Sequence, residues 1–300
     1  MASTEPFPWA RVGKWVGIAA GGLALTALIS NRVSSSASAP RLVSGRLPGT
    51  IFTIVFENKG RRQVLDNASA PTFRALARQY IDLQNYRPGL HPSLPNYIAM
   101  VSGGPQGITD DVGHVISGTE HLAAQMDAAG IPWRAYAESM PAPCSRHGTN
   151  LFMVRHVPFL YFQSVIGQPS CAQNVVPMTP IWNDLATDRL KFVFITPNAC
   201  NDAHDCPIST ADAWLAQVLP RLMNTPGYRR GGAIFILFDE TEGLERQIPA
   251  ILISPLAKNQ GSAVTTLYDH RSYLATLQDL LGVPRLPLTQ GITSMTNLLR

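Results

Sequence analysis

Short apolar runs alternate with amphipathic stretches along the chain from about residue 49 onward. Several of the runs are apolar at every position, which is typical of parallel strands that helices cover on both faces. The predicted strands are 50–56, 131–137, 191–196, 232–238 and 249–254. The predicted helices are 71–80, 94–102, 119–129, 210–223 and 271–281. This alternation predicts a mostly parallel α/β sheet.

The first 39 residues have a different pattern. Two basic residues precede the apolar run 15–29, and a tract rich in serine and alanine follows it, which is the layout of a signal peptide. The run is short for a permanent bilayer crossing, which takes about 20 apolar residues, but it could tether the chain to a membrane. Ala37-Ser38-Ala39 offers a cleavage site that Pro40 should hinder. We therefore expect 1–39 to be a signal peptide or N-terminal membrane anchor with a Ser-rich linker, and the rest to be exported.

Composition narrows the class of protein. A chain of 300 residues with 45% hydrophobic content can bury a sizeable core, in one large domain or two small ones. Its net charge is only +4, and the sequence has no basic run with interleaved aromatic residues. We therefore expect no nucleic-acid partner.

Four cysteines in an exported chain predict two disulfides. Three pairings are possible, and the close spacing of Cys200 and Cys206 favours joining them, which leaves Cys144 to pair with Cys171. A zinc site made of Cys200, Cys206 and His204 is the alternative. It lacks the C-x-x-C spacing of structural zinc sites and suits a reducing compartment better.

Three predicted strands lead directly into acidic or amide groups. In open α/β sheets the carboxyl ends of the strands form the ligand crevice, so groups that are far apart in sequence can converge there. Several carboxylates in one crevice would repel one another unless a cation neutralised them, and oxygen ligands with a few histidines suit one or two divalent ions. Each group alone would also fit a solvated turn. The acidic and amide groups are Glu57, Asn58, Asn198, Asp202, Asp205, Asp239 and Glu240, and His204 lies in the same loop as Asp202 and Asp205.

A candidate nucleophile, Ser93, lies in "HPSLPNYIAM", residues 91–100, where Pro95 favours the start of a helix. A simple N-cap role for this serine is equally compatible with the local sequence. A hydroxyl at a helix N-terminus would instead meet free backbone N–H groups, which suit an anionic phosphoryl group. A metal ion there would lower the hydroxyl's pKa and favour its attack on phosphorus.

Nine short segments between about residues 50 and 285, taken together and in order, resemble one known family. That family is the bacterial phosphoesterases, acid phosphatases and phosphatidylcholine-type phospholipases C, within the alkaline phosphatase superfamily. The resemblance implies an alkaline-phosphatase-like three-layer α/β/α sandwich, with residues 40–300 as the catalytic domain, and hydrolysis of phosphate esters by a serine or threonine nucleophile beside bound metal. The segments are "FENK", "SLPNY", "AYAESMPAPC", "RHVPFLYF", "ITPNACNDAHDC", "ADAWL", "FDETEG", "IPAILISP" and "YDHRSYLATLQDLLG".

The resemblance also implies roles for individual residues. Ser93 would be the nucleophile and would share a divalent metal, of unknown identity, with Glu57, Asp239 and Glu240. A second ion, where one is used, would be held by Asp202, His204, Asp205 and His270. His204 or His270 would protonate the leaving group if it is not a metal ligand. The expected substrate-binding residues are Asn58, Asn96, Arg155, His156 and Asn198.

The sequence thus predicts an exported, metal-dependent, acid-phosphatase-like enzyme that hydrolyses phosphate monoesters through a phosphoserine. A phospholipase C acting on phospholipid headgroups is one alternative, and a non-catalytic exported binding protein is another. A sulfatase is disfavoured, because Asn96 and Tyr97 follow the Ser-x-Pro motif without the arginine of sulfatase maturation motifs.

Overall fold

A single eight-stranded sheet forms the centre of the computed structural model, which describes residues 41–300. The signal peptide or anchor predicted for 1–39 lies outside the described residues and stays a prediction. No helix within the described range is long and apolar enough to cross a membrane. The strands are β1 (Ile51–Phe56), β2 (Ile81–Leu83), β3 (Trp133–Ala137), β4 (Val175–Pro177), β5 (Phe192–Thr196), β6 (Ala233–Phe238), β7 (Ala250–Ile253) and β8 (Ala263–Val264).

The strand order across the sheet is β4-β3-β5-β1-β6-β7-β2-β8. β7 is antiparallel to both of its neighbours, β6 and β2, and the other pairings are all parallel. Every residue of β1, β5, β6 and β7 is buried. The mostly parallel sheet is therefore confirmed, and the continuous apolar runs reflect burial on both faces.

The helices connect the strands. All five predicted helices are present, with ends that differ from the prediction by three residues or fewer. Short 3-10 turns at 154–156, 158–161, 287–289 and 296–298 complete the chain. The helices are α1 (Arg61–Leu65), α2 (Pro71–Gln79), α3 (Ser93–Ser102), α4 (Leu122–Ala128), α5 (Gln163–Ile166), α6 (Cys171–Asn174), α7 (Ile181–Asp184), α8 (Ile208–Met223), α9 (Pro226–Arg229) and α10 (His270–Leu281).

Helices cover both faces of the sheet. On one face, Phe56 of β1 packs edge-on against Phe73 of α2 and Trp214 of α8, with ring centroids 5.0 and 5.9 Å apart. On the other face, the hydroxyls of Thr53 of β1 and Tyr273 of α10 lie 2.6 Å apart. Residues three apart on a strand point to opposite faces, so these contacts define two helical layers. The predicted α/β/α sandwich is confirmed.

Three strands, β2, β4 and β8, do not appear among the predicted elements. Each has only two or three residues, which is too few to show a periodic pattern. β2 forms because Ile81 and Asp82 pair with β7 while Asp82 and Leu83 pair with β8. Pairing with a distant segment, not local preference, therefore produces this strand.

Both predicted disulfides are present. Cys144 pairs with Cys171 at a Cα–Cα distance of 5.5 Å, and Cys200 pairs with Cys206 at 4.6 Å. The zinc alternative for the second pair is wrong, because both sulfurs are joined to each other. The short bridge closes the loop after β5, and the longer one ties the segment after β3 to α6.

Candidate active site

The central strands bring distant polar residues to one edge of the sheet. β1 lies between β5 and β6, and Phe56 is in register with Phe238, so Glu57 and Asp239 follow directly side by side. The loop after β5 joins them, since the backbone N–H of Glu57 donates to the carbonyl oxygen of Asp202 at 2.8 Å. The crevice at the carboxyl ends of the strands is therefore built as the strand pattern suggests.

Ser93 is the first residue of α3, which is buried along its whole length. Its Oγ lies 3.0 Å from Oε2 of Glu57 and 3.2 Å from Oδ1 of Asn58. The N-cap position belongs to Pro92, so the capping role considered for Ser93 does not apply. The hydroxyl of Ser93 is held against carboxylate and amide oxygens, as a nucleophile beside a cation would be.

Asn58 connects Ser93 to Asp239. Its backbone takes a left-handed conformation with φ 50°, its N–H donates to Oδ1 of Asp239 at 3.0 Å, and its side-chain oxygen faces Ser93. The other carboxylate oxygen of Asp239, Oδ2, is buried and has no hydrogen-bond partner within residues 41–300. An unpartnered buried carboxylate oxygen is costly, and a cation would relieve that cost.

The buried carboxylates are electrostatically strained. Burial, followed by the charges of Asp239 and Asp202, raises the pKa of Glu57 well above its usual range. Burial also raises the pKa of Asp239, and it raises the pKa of Asp202 to about 7. Each raised pKa means that the charged form is disfavoured at this point in the protein. A divalent cation bound by oxygen ligands would reverse that preference.

A buried histidine, His156, lies against Glu57 and Asp202. His156 is buried, with Nδ1 3.1 Å from Oδ2 of Asp202 and Nε2 3.4 Å from Oε1 of Glu57. Burial lowers the pKa of His156 to about 3, so the ring is neutral at pH 7. With its proton on Nδ1, donated to Asp202, the ring presents the lone pair of Nε2, as ligating histidines commonly do. Tyr97 donates a hydrogen bond to the same Oε1 of Glu57.

Glu57, His156 and His204 form the group best placed to hold a metal ion. Their ligand atoms lie within 4.8 Å of one another. His204 is oriented by its neighbours: Nδ1 lies 2.6 Å from Oδ1 of Asp205, and Nε2 lies 3.0 Å from Nη2 of Arg155. His156 thus lies among atoms that could hold a metal ion, and Asp205 contacts His204, while the substrate-binding role of His156 and the ligand role of Asp205 stay predictions.

Glu240 and Asn96 lie beside the residues just described, which are called the cluster below: Glu57, Ser93, His156, Asp202, His204 and Asp239. Oε2 of Glu240 accepts from Nδ2 of Asn96 at 3.0 Å and lies 2.9 Å from Nδ1 of His91. Burial, with the charge of Asp239 next, raises the pKa of Glu240 to about 8. Asn96 also donates to the carbonyl oxygens of Leu90 and Pro92. In this arrangement Asn96 positions Glu240 and the entry to α3.

The structure does not bring His270 and Asn198 into the cluster as ligand and substrate-binding groups. Nε2 of His270 lies 2.7 Å from the carbonyl oxygen of Asp239 and Nδ1 lies 3.1 Å from the hydroxyl of Tyr86, so both ring nitrogens are engaged by protein groups. Asn198 donates to Ser139, and its side-chain oxygen accepts from the backbone of the Cys200–Cys206 loop. These contacts hold both residues against the backbone beside the site, and the roles predicted for them stay predictions.

Two residues that contact the candidate site, Tyr97 and Asp111, were missed from the sequence. Tyr97 lies four residues after Ser93 and therefore on the same face of α3, a signal that helical spacing alone supplies. Asp111 accepts a hydrogen bond from the backbone N–H of Leu94 at 2.9 Å and lies 3.7 Å from Nε of Arg155. Asp111 stands in an irregular loop, so no periodic pattern could have identified it.

Comparison with known proteins places this geometry in context. The Phosphoesterase family matches residues 57–284. A probable acid phosphatase of Kluyveromyces lactis is 28% identical over 87% of this chain, which spans 66% of that protein's length. A phosphatidylinositol-3-phosphatase of Mycobacterium tuberculosis is 28% identical over 78% of this chain and 77% of its own. A protein of the alkaline phosphatase superfamily from Vibrio parahaemolyticus shares the fold, with a TM-score of 0.59, 11% identity and coverage of 84% of this chain and 71% of its own.

Proposed function

Because the chain belongs to the Phosphoesterase family, we propose that it hydrolyses phosphate monoesters through a phosphoserine at Ser93. The similar probable acid phosphatase of Kluyveromyces lactis is named for hydrolysis of this kind. The observation that carries this proposal is the position of the Ser93 hydroxyl. It lies at the start of a buried helix, 3.0 Å from Oε2 of Glu57 and 3.2 Å from Oδ1 of Asn58, whose backbone N–H donates to the buried Asp239.

The donor atoms fit one or two divalent ions. Glu57, Ser93 and Asp239 supply oxygen atoms for one ion, and Glu57, His156 and His204 are spaced for another. Two buried atoms, Oδ2 of Asp239 and Nε2 of His156, have no hydrogen-bond partner in the described part of the chain, which supports this fit. A bound divalent ion would neutralise the carboxylates and favour the ionised form of the serine hydroxyl.

The reaction is a two-step displacement. Ser93 Oγ attacks phosphorus, the bond from phosphorus to the alcohol oxygen breaks, and the phosphoryl group is left on the serine. Water then attacks the phosphoserine, which releases inorganic phosphate and restores the hydroxyl of Ser93. In each transition state the negative charge is spread over the phosphoryl oxygens. The guanidinium of Arg155, 3.0 Å from His204, would stabilise that charge.

His204, when it is not a metal ligand and its contact with Arg155 is broken, would protonate the departing alcohol more readily than His270. It is partly exposed, whereas His270 is buried and hydrogen bonded at both nitrogens. Arg155 holds Nε2 of His204 at 3.0 Å. If His204 binds metal, this contact is given up and Arg155 becomes free to bind the phosphate through its planar fork of donors.

A second candidate substrate is a phosphate monoester on a phospholipid headgroup. The mycobacterial relative, which this chain covers over 77% of its length, is named for such an activity. The phospholipase C alternative would require cleavage of a diester. Export remains part of the proposal and is supported by the two disulfides, which persist in oxidising compartments.

The test is an assay of the purified full chain on a chromogenic phosphate monoester and on a phosphocholine diester, with divalent ions and with chelator. We expect turnover of the monoester that chelation abolishes and added metal restores. Ser93→Ala should lose at least about a thousandfold in kcat, while Ser69→Ala, at an exposed serine, should be unchanged. Undiminished turnover in Ser93→Ala would reject the nucleophile. Turnover of neither ester would favour the binding protein.

A further inference from the structure

A cavity of about 250 Å³ borders the catalytic cluster, and Arg155 and Asp111 form part of its wall. The other side of Arg155 reaches His204 at 3.0 Å. Asp111 accepts from the backbone N–H of Leu94, the residue that follows Ser93. Arg155 and Asp111 therefore connect the wall of the cavity to the surroundings of the nucleophile.

The cavity wall carries an excess of positive charge. Arg146 and Arg155 both contribute to it, and Asp111 is its only acidic residue. Tyr161 also lines the cavity, and both arginines lie near enough to its hydroxyl to affect its ionisation. Burial nevertheless raises the pKa of Tyr161 to about 12, so at neutral pH the hydroxyl stays protonated and can donate a hydrogen bond.

Arg146 is held in place although it is exposed. Its Nη2 donates to the carbonyl oxygen of His114 at 2.9 Å. Two residues earlier, Cys144 forms the disulfide with Cys171, and its backbone N–H donates to the carbonyl oxygen of Val175 in β4 at 2.8 Å. A guanidinium that is fixed before binding loses less conformational freedom when an anion arrives.

A guanidinium is suited to phosphate, which it binds through two parallel charged hydrogen bonds. Because Arg155 serves the reacting phosphate, Arg146 and the hydroxyl of Tyr161 are the groups of this wall that remain for a second anion. The reacting phosphate must lie at Ser93, so the cavity is free for a different group of the same molecule. We propose that it binds a second phosphate group of the substrate, which makes the preferred substrate a small soluble alcohol that carries two phosphates. This inference rests on the proposed monoesterase function and specifies its substrate class.

A series of linear diol bisphosphates, with two to six carbons between the phosphates, tests the proposal and measures the distance between the two subsites. Each bisphosphate is compared with the monophosphate of the same diol, as initial rates with the full chain. At the chain length that spans both subsites, we expect the KM of the bisphosphate to be about tenfold or more below that of its monophosphate. One charged hydrogen bond contributes a factor of this size.

Arg146→Gln should raise the KM of the preferred bisphosphate to near that of the monophosphate, with kcat unchanged. Its effect on the monophosphates should stay within about twofold, because Arg146 does not contact the cluster around Ser93. Arg78→Gln is the matched control, since Arg78 lies in the last turn of α2, directly before β2, and thus at the opposite edge of the sheet.

The outcomes separate the two claims. A bisphosphate preference that Arg146→Gln removes and Arg78→Gln keeps would support the second subsite. Turnover of the monophosphates without a bisphosphate preference at any length, or a preference that survives in Arg146→Gln, would overturn it and leave the proposed function intact. Turnover of none of the esters would instead contradict the proposed function, and this inference with it.

Discussion

Replacing Asp239 by asparagine should have opposite effects on stability with and without metal. In the metal-free protein, Oδ2 of Asp239 is buried with no hydrogen-bond partner among residues 41–300, and its charge acts on the buried carboxylate of Glu57. An asparagine can keep its oxygen on the N–H of Asn58, which now donates to Oδ1 at 3.0 Å, and turn its amide N–H groups toward Glu57 or Ser93. The substitution thus removes one buried negative charge and supplies a donor.

The magnitude follows from the cost of an unsatisfied buried acceptor, about 1–3 kcal/mol and more for a charged one. For a domain of this size, 1 kcal/mol changes the Tm by about 2–4 °C. We therefore expect Asp239→Asn in excess chelator to melt several degrees above the wild type. At a divalent-ion concentration about 100-fold above Kd, the wild type should gain about 2.7 kcal/mol, or about 5–10 °C, and Asp239→Asn should gain far less.

Scanning calorimetry at pH 7.5, with chelator and across a titration of divalent ions, measures both changes. Asp66→Asn, which removes an exposed carboxylate at the end of α1, should shift neither Tm by more than about 1 °C. The reasoning is refuted if Asp239→Asn is less stable than the wild type in chelator, or if it gains as much stability from metal as the wild type does.

Three further predictions concern neighbouring features. Burial lowers the pKa of His121 to about 4 from 6.5, so the neutral ring contributes fully to the free energy of unfolding above about pH 6.5, and this contribution is lost as the pH falls toward 4. Denaturant unfolding at pH 7.5 and 5 should therefore show a smaller loss of stability in His121→Gln than in the wild type, and an equal loss would contradict the lowered pKa. Replacing Cys200 and Cys206 by serine should cost about 2 kcal/mol and lower kcat/KM at least about tenfold, because Asp202 and His204 lie within the closed loop; unchanged kinetics would show that the bridge does not position them. Tyr97→Phe removes the hydrogen bond to Glu57 and should raise the metal concentration needed for half-maximal activity about tenfold. A metal titration measures this concentration, which Tyr80→Phe should leave unchanged.

The sequence predicted the framework well where burial determines it. β1, β5 and β6 are enclosed by helices on both faces, so their apolar runs were visible without any structure. The two-residue strand β8 and the three-residue β2 depend on pairing with distant segments, which local pattern does not reveal.

The candidate site was predictable to the level of which loops converge, because polar residues directly follow the central strands. Glu57 and Asp239 were identified in this way, and Ser93 was identified from the predicted start of a helix. The contacts of the individual histidines could not be predicted, because they depend on where each ring points. His156 faces Glu57 and Asp202, while His270 faces the backbone of Asp239. Side-chain direction at that scale is set by packing between elements far apart in sequence.

The most direct test of the account is to locate the phosphoryl group during turnover. The full chain, loaded with divalent ions, is mixed with a ³²P-labelled monoester, quenched in acid within the first turnovers and digested for peptide mapping. The account predicts label on Ser93 in the wild type and none in Ser93→Ala. Label on another residue, or rapid hydrolysis by Ser93→Ala, would contradict it.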